Sequence, residues 1–194
     1  MMPSSSLSQV AIKYKWRGLD QDDPTEFLDF EDGGIALNDN SHGLEYQLWT
    51  FSYAEKSAYV TAPNQAATTL LFTTTIDIQE IKGCFDQNMA PFVAYKAANQ
   101  YHYWWYDTLT AHYTFSDLSV NVDSCACTLD DKRMFNSPNS DILLFYTMNN
   151  NLYMRRQRDR YQNEFLVKAG VGGRLIKVGM NGIQRLQFKL LTIQ

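Results

Sequence analysis

The sequence predicts an all-β protein built from repeated antiparallel units of about 50 residues, arranged as a propeller-like array or a sandwich. Three observations predict it. Short runs of β-branched and aromatic residues alternate with turn residues along most of the chain. Two stretches repeat one another. Near the carboxyl end an Asn-Gly pair sits between apolar segments, which is a strong hairpin signal.

Taken in order, residues 1–34 read as an acidic amino-terminal arm. Ser4 to Ser6 are small and polar, and Asp20, Asp22, Asp23, Glu26, Asp29, Glu31 and Asp32 follow, ending at Gly33-Gly34. This cluster lacks the regular spacing of a calcium loop, so an extended, solvated arm that packs on a neighbouring subunit is expected. Residues 35–194 then read as a single β-rich domain. Its turns are expected at Asn38-Asp39-Asn40, His42-Gly43, Ala62-Pro63-Asn64, Asp86-Gln87-Asn88, Asn136-Ser137-Pro138-Asn139, Asn149-Asn150-Asn151, Gly172-Gly173 and Asn181-Gly182. Strand-forming runs lie between them: residues 68–78 (TTLLFTTTIDI), 92–95, 101–106 (YHYWWY) and 142–146.

The repeat covers residues 91–115 and 141–167. Each copy has an apolar run ending in a tyrosine (Tyr95, Tyr146), then an Asn-containing turn (Asn99; Asn149 to Asn151). An aromatic-rich second strand follows, then a polar turn around an aspartate (Asp107, Asp159) and a third strand. A weaker third copy near Ile35 aligns Gly43 to Trp49 with Asn99 to Trp105. Residues 151–167 also carry Tyr153, Gln157, Tyr161 and Phe165 four apart, a helical spacing. The repeat favours strand there, because the matching segment YHYWWYDTLTAHYTF is a poor helix former. At the carboxyl end RLIKVGM and QRLQFKLLTI read as the two strands around Asn181-Gly182.

Composition narrows the function. The chain has 194 residues, enough for one well-buried core, and 14% of them are aromatic, so global disorder is not expected. A net charge of -4 gives no general attraction to nucleic acid or to an anionic membrane. The apolar runs are strand-sized and the amino terminus lacks a secretory pattern, so a soluble protein made in a cytoplasm is expected. Three cysteines, Cys84, Cys125 and Cys127, argue against a disulfide framework. Cys125 and Cys127 have too few neighbours for a zinc site and read as two small buried side chains on one strand face.

Catalytic motifs are missing: no GxSxG, P-loop, HExxH or GxGxxG is present, and His42, His102 and His112 stand apart. No catalytic residue, cofactor or metal site is therefore expected. Asp77, Asp86, Asp107, Asp130, Asp131 and Asp141 could supply a glycosidase pair, but nothing selects two of them, and most read as turn residues. The candidates for an interface are Arg155, Arg156, Arg158 and Arg160 in the run RRQRDR, together with Trp49, Trp104 and Trp105. As a strand, the run would put Arg156, Arg158 and Arg160 on one face, suited to a protein partner more than to DNA. The tryptophans are either core or, if exposed on one concave face, a sugar-binding platform.

The segments FDQNMAPFVAY, WWYDT, LDDKR, SDILLFYTMNNNLYMRRQRDRYQNEFLV and GMNGIQRLQF together resemble repeats in tail structural proteins of tailed bacteriophages, particularly short-tailed ones. The resemblance spans residues 76–188 and is strongest over 141–167. It implies a β-rich virion component of the tail, synthesised in the host cytoplasm, with no catalytic residues to carry over. Other tail proteins, further copies of the chain and a host surface glycan are the partners it implies. The chain departs from a full propeller in length. Four or more blades of about 50 residues would be needed, and there is room for about three and a half. An incomplete propeller, a sandwich, or a module that closes only in an oligomer are the expectations.

Overall fold

The structure is a computed structural model that describes residues 10–13, 33–40, 43–62, 66–86, 88–130, 141–180 and 186–191; for residues 10–13, 33–48 and 180 only the backbone is described. The acidic cluster of residues 20–32, the serines near the start, and the turns expected at 136–139 and 181–182 lie outside the described residues. The strands are β1 (Val10–Lys13), β2 (Gly33–Asn40), β3 (Gly43–Ala54), β4 (Ser57–Thr61), β5 (Thr68–Thr73), β6 (Ile78–Phe85), β7 (Pro91–Ala97) and β8 (Gln100–Asp107). They continue as β9 (His112–Asp117), β10 (Val122–Leu129), β11 (Ile142–Met148), β12 (Asn151–Arg156), β13 (Phe165–Lys168), β14 (Arg174–Met180) and β15 (Leu186–Leu191).

These strands form four antiparallel sheets in chain order: β2-β3-β4-β5, β6-β7-β8-β9, β10-β11-β12-β13, and a last sheet of order β1-β15-β14. Each of the first three is a meander. The first strands of successive sheets touch in series, β2 to β6, β6 to β10 and β10 to β14. Successive sheets are therefore joined through their first strands, with β14 taking that place in the last. The last sheet combines two strands from the carboxyl end with one from the amino end, which accounts for a length of about three and a half units. Within the segment read as an arm, β1 pairs with β15 of the same chain, Ile12 opposite Phe188.

The core lies between sheets. Phe51, Val60 and Phe72 of the first sheet pack against Ile81, Phe85, Val93 and Trp104 of the second. Cys84, Phe92, Tyr101, Tyr103 and Trp105 from the other face of the second sheet meet Cys125, Leu129, Leu144 and Tyr146 of the third. Ala126, Leu143 and Phe145 on the far side of the third sheet meet Leu175, Val178 and Phe188 of the last. The second and third sheets are therefore covered on both faces. That is why β7 and β11 are near-continuous apolar runs, FVAY and ILLFY, instead of alternating ones. One buried polar link joins the last two sheets: Ser124 Oγ shares a 2.6 Å hydrogen bond with Thr147 Oγ1 and accepts one of 2.6 Å from the Leu175 amide.

The repeat coincides with β7 to β9 and β11 to β13. Its equivalent hairpins turn at Ala98-Asn99 and Asn149-Asn150, and all four residues are left-handed (φ 48°, 63°, 51° and 63°). Two consecutive left-handed residues match the twist of the flanking strands, and asparagine tolerates that conformation better than most side chains. Residues 151–167 are strands, not helix: β12 and β13 are joined by one turn of 3-10 helix over Gln157–Asp159.

Three expectations are corrected. The third copy was placed one strand out: β3, which holds Gly43 to Trp49, is the second strand of its sheet, whereas β8 is the third of its own. The run of residues 68–78 is not one strand. It breaks after Thr73 and crosses to the next sheet over the β3–β4 turn, held by Thr74 N–H to Lys56 O and Ile78 N–H to Glu55 O. β-Branched residues there suit the extended crossing as well as a strand, so composition did not mark the break. Finally, Cys127 is only partly buried, unlike Cys125.

Candidate interaction site

The arginine run begins on β12 and leaves it after Arg156. Its remainder is wound so tightly that Arg160 and Tyr161 are both left-handed (φ 52° and 57°). The Arg160 N–H donates to Gln157 O at 2.7 Å and the Tyr161 N–H to Arg156 O at 2.9 Å. The expectation that Arg156, Arg158 and Arg160 share a strand face is therefore wrong. Strand alternation stops at the 3-10 turn, and each arginine leaves in its own direction.

Each arginine meets an acid of the same chain. The Arg155 Nε–H donates to the Tyr146 hydroxyl at 3.0 Å, and its guanidinium lies 3.5 Å from Glu164, which also accepts from that hydroxyl. Arg156 pairs with Asp159 at 2.7 Å and lies over the Phe165 ring, 4.3 Å from its centroid. Arg158 holds Asp141 twice, through its amide and its Nε–H, both at 2.7 Å, and reaches Asp130 at 3.4 Å. Arg160 pairs with the buried carboxylate of Asp107, the last residue of β8 in the second sheet. Gln157 adds a second bridge. Its amide nitrogen donates to Asp86 at 3.3 Å, and its carbonyl accepts from the Ile142 amide at 3.2 Å.

The acids have structural duties of their own. Asp86 Oδ1 accepts from the Asn88 and Ala90 amides at 2.8 and 2.9 Å, and Asp107 Oδ1 accepts from Leu109 at 3.1 Å. These are turn-stabilising contacts, as expected for aspartates beside tight turns. Burial works against ionised Asp107, but its hydrogen bonds from Arg160 and Leu109 hold the carboxyl below the usual range. At Asp141 burial wins over the bonds from Arg158, and the carboxyl is pushed up.

The left-handed turn also aims Tyr161 inward. Its ring is 1% exposed and lies 5.3 Å from Phe92, 5.2 Å from Tyr103 and 5.1 Å from Trp105, centroid to centroid. So a loop of the third sheet is plugged into the second, with ion pairs around the plug. The sequence showed the charges and the Asp107 turn. It gave no sign that the two join, because their partnership spans a whole repeat.

The tryptophans do not form a platform. Trp104 and Trp105 are neighbours on β8, point to opposite faces, and are both buried. Trp104 is stacked on Tyr113 at 3.9 Å and packs against Phe72. Trp49 is half-buried with its edge toward Phe85 at 5.2 Å.

Part of the exposed apolar surface is at the outer strands, alongside Tyr53, Ile76, Val120 and Ile176 elsewhere. β5, β9 and β13 are the edge strands of the first three sheets. Leu70 on β5, Tyr113 and Phe115 on β9, and Leu166 on β13 are all exposed, and Leu109 lies in the β8–β9 turn at 75%. An unpaired strand edge carrying apolar side chains is a template for further association. A separate cleft of about 420 Å³ opens where Asp123, Asn150, Gly172, Gly173 and Arg174 meet. Among the described residues no group of His, Cys, Asp or Glu is arranged to hold a metal ion, and no helix is long and apolar enough to cross a membrane. Compared with protein-family models, with curated proteins and with solved structures, the chain finds no match in any of the three.

Proposed function

We propose that this chain is a non-enzymatic structural protein of a phage tail, whose work is to make protein contacts in tail assembly or host attachment. The observation that carries the reading is the division of labour in the segment that most resembles such proteins. Its charges brace the fold internally, while the outer strands of three successive sheets each carry exposed apolar side chains. Arg155, Arg156, Arg158 and Arg160 then act as braces, and the contact surface moves to Leu70, Phe115 and Leu166 on β5, β9 and β13. Edge strands bind by extending a sheet, which supplies main-chain hydrogen bonds for affinity and side-chain pockets for specificity.

Light scattering of the full chain across a concentration series tests this. A discrete oligomer that Phe115→Lys or Leu70→Lys converts to monomer is the expected result. Because the surface is apolar, raising the salt should not dissociate it. A monomer at every concentration that also fails to bind other tail proteins would overturn it. A second reading, a carbohydrate-binding module, is favoured by the cleft at Asp123 and Arg174 and not by the tryptophans. It predicts glycan binding that Arg174→Ala abolishes while the oligomer is unchanged.

A further inference from the structure

We propose that Cys84 and Cys127 form a reversible disulfide that staples the second sheet to the third. The two residues lie on β6 and β10, the touching first strands of those sheets. Alternation along each strand points them at one another. Ile81 and Phe85 face the first sheet while Cys84 faces the third. Ala126 faces the last sheet while Cys125 and Cys127 face the second. The side chains of Cys84 and Cys127 both belong to the cluster packed between these two sheets, and Cys84 is the largest influence pushing the Cys127 thiol up. Cys125 lies two residues along in the same cluster and is fully buried. The Cys-Ala-Cys spacing gives no sign of this pairing, because Cys84 belongs to a different sheet.

The two sulfurs differ in access. Cys84 is 5% exposed, whereas Cys127 keeps part of its surface open. The positive charge of Lys82, on the same strand as Cys84, favours the Cys127 thiolate, against Cys84 and burial, which push that thiol up. The Tyr161 hydroxyl, in the same cluster as both cysteines, is buried and without a hydrogen-bond partner. It is a donor available to whichever sulfur carries charge.

A small oxidant suits so narrow an approach, and hydrogen peroxide is the one we assign. The Cys127 thiolate attacks one peroxide oxygen. The O–O bond breaks, and the hydroxide released takes up the proton that the thiol had lost, giving water. The resulting sulfenic acid is then attacked by the Cys84 sulfur. The S–S bond forms, the S–O bond breaks, and the hydroxyl leaves as water with the Cys84 proton. Two thiols are oxidised, one peroxide is reduced, and two waters result. A dithiol reductant reverses the bond by exchange. The buried thiols make the reaction slow, so the staple records sustained oxidation, such as transfer from a reducing to an oxidising compartment. None of this depends on the reading of the chain as a tail protein.

The test treats the full chain with hydrogen peroxide, alkylates the remaining thiols after unfolding, and maps the peptides without reduction. The expected result is a single cross-link between Cys84 and Cys127, with Cys125 alkylated. The melting temperature should rise by about 5–10 °C, and dithiothreitol should return it. Cys125→Ala should keep the link and Cys84→Ala should lose it. If Cys84→Ala does not fold, the map of the unaltered chain decides by itself. A link through Cys125, links only between chains, or sulfinic and sulfonic acids without a link would each overturn the proposal.

Discussion

At the scale of single residues, Tyr161 and the aspartates around it show how one position does two things. The Tyr161 ring fills the space between two sheets, yet its hydroxyl is buried with no partner. Removing the ring by Tyr161→Ala should cost about 3–5 kcal/mol, the usual result of opening a large cavity. Removing only the oxygen by Tyr161→Phe should stabilise the fold by about 1 kcal/mol, because the desolvation cost of an unpaired group disappears. Urea unfolding of both variants measures this, and a destabilised Tyr161→Phe would mean that the hydroxyl has a partner after all. The two aspartates make opposite predictions about pH. The Asp107 carboxyl is lowered in the fold, so its contribution is present above the unfolded value near 4 and is lost as pH falls through the folded one. The Asp141 carboxyl is raised, so its contribution is present at low pH and is lost as pH rises through the folded value. Asp107→Asn should therefore flatten the rise of stability on the acid side of about pH 4, and Asp141→Asn should steepen the pH dependence above it. Urea midpoints on both sides of that pH would check both signs.

At the scale of elements, the spacing between sheets is set by a few close approaches. Gly83 on β6 is one. A Cβ built there would sit 2.3 Å from Cγ of Phe51, far closer than van der Waals contact allows. Gly83→Ala should therefore force β6 and β3 apart and cost about 1–3 kcal/mol, and pairing it with Phe51→Leu should recover much of that. Thermal unfolding of the single and double variants measures the coupling, and two additive losses would show that the ring is free to move away. The elements also mark how far the sequence could be read. β7, β8, β11, β12 and the strand RLIKVGM were legible because their residue types, turn asparagines and mutual repetition agreed. The crossing after β5 was not, since Thr74 and Thr75 look the same in a strand and in an extended link. Neither was the 3-10 turn, which depends on Gln157 and Arg158 reaching Asp86 and Asp141, partners far away in sequence. The internal partners of the interface candidates were hidden for the same reason. An arginine run looks like a surface until the acids that neutralise it are located, and a tryptophan pair looks like a platform until Tyr113 and Tyr161 are found packed on its rings.

At the scale of the whole molecule, the order of the last sheet has the largest consequence. β15 lies between β14 and β1, so the amino-terminal end of the chain covers what would otherwise be an open edge. The other three sheets end in edges formed by their own last strands, which are short (six residues in β5 and β9, four in β13), a common way of limiting unwanted pairing. The last sheet has only two strands of its own and relies on β1 for a third. An isolated two-stranded hairpin is marginal in water, so β1 should matter well beyond its four residues. Deleting residues 1–13 should lower the melting temperature and expose the β15 edge, where Gln187 to Leu190 would be free to pair with other chains. Sedimentation of the truncated chain should then show irregular aggregates instead of a defined species. A synthetic peptide of residues 1–16, added in excess, should restore the melting temperature by taking the place of β1, as a strand supplied in trans does at any open edge. Ile12→Pro in that peptide should weaken the rescue, because proline lacks the N–H that a strand donates and fits poorly into a ladder. If the truncated chain melts and sediments like the full one, β1 is not needed for the fold, and the last sheet must be held by β10 and β14 alone.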